Sequence, residues 1–144
     1  MTWATEMLDN MKRGTHPAPP IVKTLRLGLI DDWGEGWIEK SWQPDTDLLQ
    51  ADGTMFGGYI AALFDQAFAF ATMTVIGEHE AYRTSNLNVS FLSLSRSEPI
   101  TLRADVVARS KRLITLDGKM LSPPGAVRAI ATAQQITTRK PPMA

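Results

Sequence analysis

From Gly57 to Ala71 the chain reads Gly-Gly-Tyr-Ile-Ala-Ala-Leu-Phe-Asp-Gln-Ala-Phe-Ala-Phe-Ala, and Asp65 is the only charge in the run. The length and composition predict a helix too apolar for a protein surface, one that needs cover on nearly every side. A curved sheet supplies most of such cover. Asp65 falls about two turns into the helix. Burying a carboxylate costs several kcal/mol unless something compensates, so a buried Asp65 is expected to have a chemical use. Gly57 and Gly58 open the helix. There the first N–H groups lack intrahelical partners and carry the positive end of the helix dipole. One element thus holds an acid and a set of donors.

The chain has 144 residues, enough for a single domain with a proper core. Its formal net charge is zero, so no general attraction to nucleic acid or to an anionic membrane is expected. It has no cysteine, which removes disulfides, thiolate metal sites and a thiol nucleophile, and fits a cytoplasmic setting. Glu6 and Asp9 near the N-terminus, with no apolar core beside them, argue against a secretory peptide. The one membrane-span candidate, Tyr59 to Ile76, is interrupted by Asp65, Gln66 and two threonines and reads better as a core helix.

Trp3, Met7, Leu8 and Met11 share one face of a short helix over 2–13, with Gly14 as its stop. His16 to Pro20 is a proline-rich connector. Leu25, Leu27 and Leu29 then alternate with Thr24, Arg26 and Gly28, a strand period. Asp31 to Gly36 has turn chemistry, Trp37 to Trp42 reads as a second strand, and Pro44 to Met55 as a polar loop. The long helix should run from about Gly58 to Ile76 and end at Gly77. Beyond it, Leu87, Val89 and Phe91 share one strand face, and Leu102, Ala104, Val106 and Ala108 share another. Leu113 to Leu121 is a third strand, with a turn or bulge expected at Asp117-Gly118. Ser122-Pro123-Pro124-Gly125 is a tight connection, Val127 to Thr138 a last strand, and 139–144 a frayed tail. The pattern predicts an α+β domain spanning 1–144. One long buried helix is wrapped by an antiparallel sheet of five to six strands, and a short N-terminal helix precedes it.

The run Gln50-Ala51-Asp52-Gly53-Thr54-Met55-Phe56-Gly57-Gly58, followed after six residues by Asp65, resembles the signature of hotdog-fold acyl-CoA thioesterases of the PaaI-like, phenylacetate-pathway group. Leu87-Asn88-Val89-Ser90-Phe91-Leu92 resembles that family's strand after the central helix. The resemblance covers roughly 45 to 138. It implies a hotdog fold and hydrolysis of an acyl-CoA thioester. Asp65 would be general base or nucleophile, Gly58 N–H the donor polarising the carbonyl, and Gly57 the shaper of the turn. Gln50 would position water or the thioester oxygen, and Thr84 would face the carboxylate. It also implies a homodimer, or a dimer of dimers, in which Asp65 and Thr84 act with Gln50 and Gly58 of the partner chain. No cofactor is implied beyond coenzyme A as part of the substrate, and no metal. Two positions depart from the pattern: Gln50 stands for the family's Asn, and Phe56 for its His.

Coenzyme A carries phosphates, so basic residues are expected along its path: Arg109, Lys111 and Arg112 at a strand connection, and Arg96 after a serine-rich turn. Phe56 is placed with Gly57 against the substrate. Each residue also has a simpler use. A buried Asp65 can tie down a loop, paired glycines can permit close packing, and a basic run at a turn is usually solvated. His16 and His79 stand outside the motif. A non-catalytic acyl-CoA or lipid-binding module on the same fold is the alternative, favoured by Phe56. A dehydratase on hydroxyacyl thioesters would need a histidine that position 56 lacks.

Overall fold

Alternating apolar and polar residues, most of them in the second half of the chain, form one antiparallel sheet in the computed structural model, which describes residues 1–123 and 125–141. In chain order the elements are α1 (Trp3–Lys12), α2 (Pro20–Leu25), β1 (Asp32–Gly34), β2 (Trp37–Trp42), α3 (Gly57–Met73), β3 (Glu80–Phe91), β4 (Ile100–Arg109), β5 (Leu113–Ser122) and β6 (Ala126–Arg139). A single 3-10 turn, Thr46–Leu48, lies between β2 and α3. The six strands are ordered β1-β2-β4-β5-β6-β3, so β3, twelve residues long, forms an edge. No described helix is long and apolar enough to cross a membrane.

Helix α1 begins with a capping box between Thr2 and Thr5 and buries Ala4, Leu8 and Met11 on one stripe. Helix α3 lies across the concave face of the sheet. Leu63, Phe64, Ala67, Phe68 and Ala71 are fully buried against it. At its end the Thr74 hydroxyl donates to Ala71 O at 2.7 Å and accepts from Gly36 N–H at 2.8 Å. The helix therefore stops at Met73, nearly a turn before the expected Ile76.

The leucine alternation over 25–29 is not a strand. Pro19 and Pro20 pre-set the first turn of α2, which runs to Leu25 and ends on Arg26 at φ +52°. Gly28 follows at φ +70°. Two left-handed residues so close together cannot continue an extended run. The last residue of α2 and the irregular residues beyond it therefore form a strap over 25–28, and the first strand lies at Asp32–Gly34. It pairs with β2 through a two-residue turn at Glu35-Gly36, where Gly36 has φ +84°.

Two further corrections concern strand faces. A bulge between Val106 and Ala108 changes the alternation of β4, so Ala108 is exposed rather than aligned with Leu102 and Ala104. Strand β5 runs unbroken through Asp117-Gly118, where a turn or bulge was expected. Gly118 pairs with Ala104 on one side and Ala131 on the other. The glycine is needed because α3 comes so close. A Cβ there would lie 2.8 Å from Phe68 Cζ and 3.0 Å from Phe64 Cε1, two rings that stack with centroids 5.9 Å apart. At the next connection Gly125 N–H reaches Ser122 O at 2.7 Å, as a tight turn requires. Pro124 falls outside the described residues, as do 142–144 of the expected tail, while Arg139 still belongs to β6.

Gly118→Ala should therefore destabilise the fold by about 1–3 kcal/mol, the usual cost of overpacking. The change would appear as a lowered urea midpoint at unchanged m-value. Wild-type stability in this variant would contradict the packing described.

Candidate active site

The sheet covers one side of α3. The opposite strip carries Ala62, Asp65, Gln66 and Ala69, and these line a cavity of about 560 Å³. Its other walls are Pro19, Ile21, Val22, Leu25 and Leu27 from α2 and the strap, and Tyr82, Arg83 and Thr84 from β3. Asp65 is thus exposed on the uncovered strip of the protomer, not buried as the sequence suggested. The apolar run encloses its position in sequence but not in space. Asp65 Oδ1 accepts a hydrogen bond from the Thr84 hydroxyl at 2.9 Å. Directly across from Thr84, on β6, Gln135 is fully buried, and its Nε2 donates to the same hydroxyl oxygen at 3.0 Å. An amide, a hydroxyl and a carboxylate thus form a chain, in which the threonine accepts from the glutamine and donates to the acid. The register of β3 shifts between Thr84 and Asn86, and the Ser85 hydroxyl reaches Gln134 O at 3.3 Å. Burial pushes the Tyr82 phenol up to about 12, so it meets the cavity as a neutral hydroxyl.

Sequence reasoning missed Gln135. The inward positions of β6 read Ala129, Ala131, Ala133, Gln135, Thr137. A long amide after three alanines on an inward face is the signal that would have marked it.

The second group of expected residues gathers at the start of α3. No side chain caps this helix, and the N–H groups of Tyr59 and Ile60 both turn back to Phe56 O. The N–H groups of Gly57 and Gly58 stand at the open end. A Cβ on Gly58 would lie 2.7 Å from Phe56 Cε1, and one on Gly57 would lie 3.1 Å from Phe91 Cζ. Both rings are more than half exposed and rest on the glycine turn. Gln50 turns its amide into its own loop, toward Thr54 Oγ1 at 3.2 Å and Met55 O at 3.3 Å. Arg96 braces that loop through Asp52 O at 3.1 Å. Gly58 precedes Asp65 by seven residues, roughly 10 Å along the helix axis. Within one chain the acid and the glycine donors form two separate groups.

The basic residues divide in the same way. Arg109 is held in the fold, bonded to Glu80 at 2.7 and 2.8 Å and to Val75 O. The Gly77 N–H and then Arg109 hold the Glu80 carboxyl below its usual range. Lys111 and Arg112 instead line an open groove of about 480 Å³ with His79, Glu80 and Arg139. Arg96 belongs to the loop before α3 and not to this groove.

A single helix under a curved antiparallel sheet, with an acid on its open strip beside an apolar cavity, defines a hotdog protein of the PaaI-like thioesterase type. Residues 52–129, more than half of the chain, match the thioesterase superfamily, and the chain belongs to that family. Among solved structures it is similar to the phenylacetic acid degradation-related protein of Ralstonia eutropha JMP134. That match has 26% identity over 90% of this chain and 98% of that one, with a TM-score of 0.79. A thioesterase of Haemophilus influenzae aligns at 20% identity over 92% and 90%, TM-score 0.81. A Streptococcus mutans UA159 protein solved with acetyl-CoA aligns at 17% over 77% and 88%, TM-score 0.71. No curated protein matches the chain. Thioester hydrolysis in general is the chemistry this family carries.

Lys40 lies behind the cavity wall, fully buried in the protomer. Its Nζ donates to Leu27 O and to Gln66 Oε1, the latter at 2.5 Å. Burial lowers its pKa to about 7, against the opposing charge of Asp31. An unfolded lysine stays protonated to about pH 10, so between pH 7 and 10 the unfolded chain binds more protons than the folded one. Stability contributed by this group is therefore complete above about pH 10 and is lost as pH falls toward 7. In urea titrations, wild type should lose stability relative to Lys40→Met over that window and show no further relative change below it. A constant difference from pH 7 to about pH 10 would contradict this placement.

Proposed function

We propose that the chain hydrolyses acyl-CoA thioesters as a homodimer, with the acid of one protomer facing the glycine turn of the other. The observation carrying this reading is the Gln135–Thr84–Asp65 chain at an apolar cavity. Thr84 occupies Asp65 Oδ1 and so orients the carboxylate, leaving Oδ2 for the reaction. As general base, Asp65 takes a proton from water while the water oxygen bonds to the thioester carbon. The C–S bond then breaks and the sulfur leaves as thiol after protonation. As nucleophile, the carboxylate itself bonds to that carbon, the C–S bond breaks and the thiolate leaves, taking a proton from water, and a second water hydrolyses the resulting anhydride to the free acid and the regenerated carboxylate. Either route builds negative charge on the carbonyl oxygen, and a backbone N–H at a helix start is suited to hold it.

A donor and a base must each lie near 3 Å from the reacting group. The roughly 10 Å between Gly58 and Asp65 on one helix prevents one chain from satisfying both, whereas a second copy supplying Gly58, Gly57 and Gln50 resolves the mismatch. Two features favour such a copy. Strand β3 presents an unpaired edge, and Phe56, Phe91, Leu92 and Leu94 are all more than half exposed near the glycine turn and the end of that strand. Coenzyme A as carrier is supported by the acetyl-CoA found on the Streptococcus mutans neighbour. Lys111 and Arg112 offer its phosphates two cations in the groove, while Arg109 is committed to Glu80 and Arg96 to the loop.

One observation favours a binding module without catalysis. The Phe56 ring rests on Gly58 at the helix opening, where an apolar group can neither donate nor titrate. Thiol-release assays over short, medium, long and aromatic acyl-CoAs separate the two readings. Turnover is expected for wild type, with Asp65→Asn lowering kcat at least about a hundredfold, the scale of a lost base or nucleophile. Tight acyl-CoA binding without thiol release would select the module instead, and equal turnover in the variant would remove Asp65 from the chemistry.

A further inference from the structure

We propose that Lys40 is a positioning residue for this site, fastening residues 25–28 to α3 through Gln66 and so setting which acyl groups the cavity accepts. The proposal rests on the acyl-CoA reading for the occupant of the cavity, but not for the fastening itself. Four consecutive carbonyls of the strap are each taken by a side chain from α3 or β2. The Tyr59 hydroxyl lies 2.6 Å from Leu25 O and 3.0 Å from Arg26 O, and Trp42 Nε1 lies 2.9 Å from Arg26 O. Lys40 Nζ takes Leu27 O, and Gln66 Nε2 takes Gly28 O at 2.7 Å. With Arg26 and Gly28 in left-handed conformations and no ladder partner for the strap among the described residues, these side chains fix where it sits.

Lys40 is the junction of this set. One nitrogen bonds the strap directly and also holds Gln66 Oε1, which turns the other end of that amide toward Gly28. Leu25 and Leu27 face the cavity opposite Ala62 and Ala69, so a shift of the strap changes the room available to an acyl chain. Gln66 follows Asp65 on the same helix and lines the same cavity. The charges near Lys40 are few. Asp31, before β1, acts on it directly. From α3 it meets the neutral Gln66, and from β4 its cross-strand partner is Leu102. Arg26 of the strap is paired with Asp45 at 2.7 Å, and Asp65 is engaged by Thr84. Burial lowers the pKa of Lys40, so protonation weakens the arrangement that keeps this amine from water, and the strap is held more firmly when Lys40 is neutral and donates both hydrogen bonds as an amine.

The test compares wild type, Lys40→Met and Lys40→Gln on acetyl-CoA and decanoyl-CoA across pH. In Lys40→Met the KM for decanoyl-CoA should rise about tenfold, the scale of one lost buried hydrogen bond to a charged group, with kcat for acetyl-CoA within about threefold of wild type. Wild-type KM for decanoyl-CoA should rise as pH falls through about 7. Lys40→Gln, which keeps a donor but cannot titrate, should stay below Lys40→Met in KM and lose that pH step. Equal changes for both substrates, or a wild-type profile in Lys40→Met, would overturn the proposal. If Lys40→Met does not fold, Lys40→Gln and Gln66→Leu carry the same comparison. If wild type hydrolyses no thioester, the acyl-CoA reading fails separately, and decanoic acid binding with amide exchange over 25–28 decides the fastening. Weaker binding and faster exchange in the variants are expected; neither changing would overturn it.

Discussion

Helix α3 is apolar around nearly its whole circumference, yet the sheet of its own chain covers it from one side only. The consequences of that imbalance set most of the structure. On the covered side the two layers come so close that Gly118 has no room for a Cβ beneath Phe68. On the other side the chain narrows the helix surface to alanines and two polar residues, and lays the 19–28 segment along part of what remains. The cavity is the gap between this partial cover and the helix. Asp65 lies at that gap because it is the place on α3 where a carboxylate can stay in water while touching an apolar enclosure.

Charge placement follows the same geometry and reverses a simple expectation. The acid in the middle of the apolar run is exposed, whereas Lys40, in an ordinary-looking strand, is fully buried. Exposure leaves Asp65 hydrated, and one threonine, braced by a buried amide, is enough to fix its orientation. Lys40 has no such freedom. Removed from water, its amine needs acceptors, and it finds them in the backbone of a segment that has no strand to pair with. The strap lacks donors from a ladder and the lysine lacks solvent, and each supplies what the other is missing.

Elements that bury one regular face were legible in the sequence. The stripe of α1 and the alternation of β2 and β6 rest on a single period repeated over enough residues to be distinctive, and α3 on an unbroken apolar run, although its end fell three residues short of the one expected. The strap was misread because Leu25, Leu27 and Leu29 happen to alternate. What decides its path is two left-handed residues and hydrogen bonds from four side chains elsewhere in the chain, none of them local. Asp117-Gly118 was misread for a related reason. A glycine required by a ring packing from above looks, in one dimension, like a glycine required by a turn. In the site, the Gly-Gly to Asp65 spacing and Thr84 were visible through the family resemblance. Gln135 and Lys40 were not, although parity alone places Lys40 on the inward face with Ile38 and Trp42. The residues left unseen are polar groups whose partners are set by sheet register and by an irregular segment.

The separation of the two groups on α3 is itself a constraint on how a thioesterase can be built here. A rigid helix cannot bring its first turn and its third to the same carbonyl, because the rise per residue is fixed. Neither a side-chain rotamer nor a loop adjustment removes roughly 10 Å of backbone. Chemistry that uses both an acid and a helix-start donor must therefore take them from two helices. A single domain with one long helix can meet that requirement only by association. The exposed edge of β3 and the aromatic residues seated on Gly57 and Gly58 are then consistent parts of one arrangement. Under the proposed association, the surface that would be a liability on a monomer is the surface that would complete the reaction site.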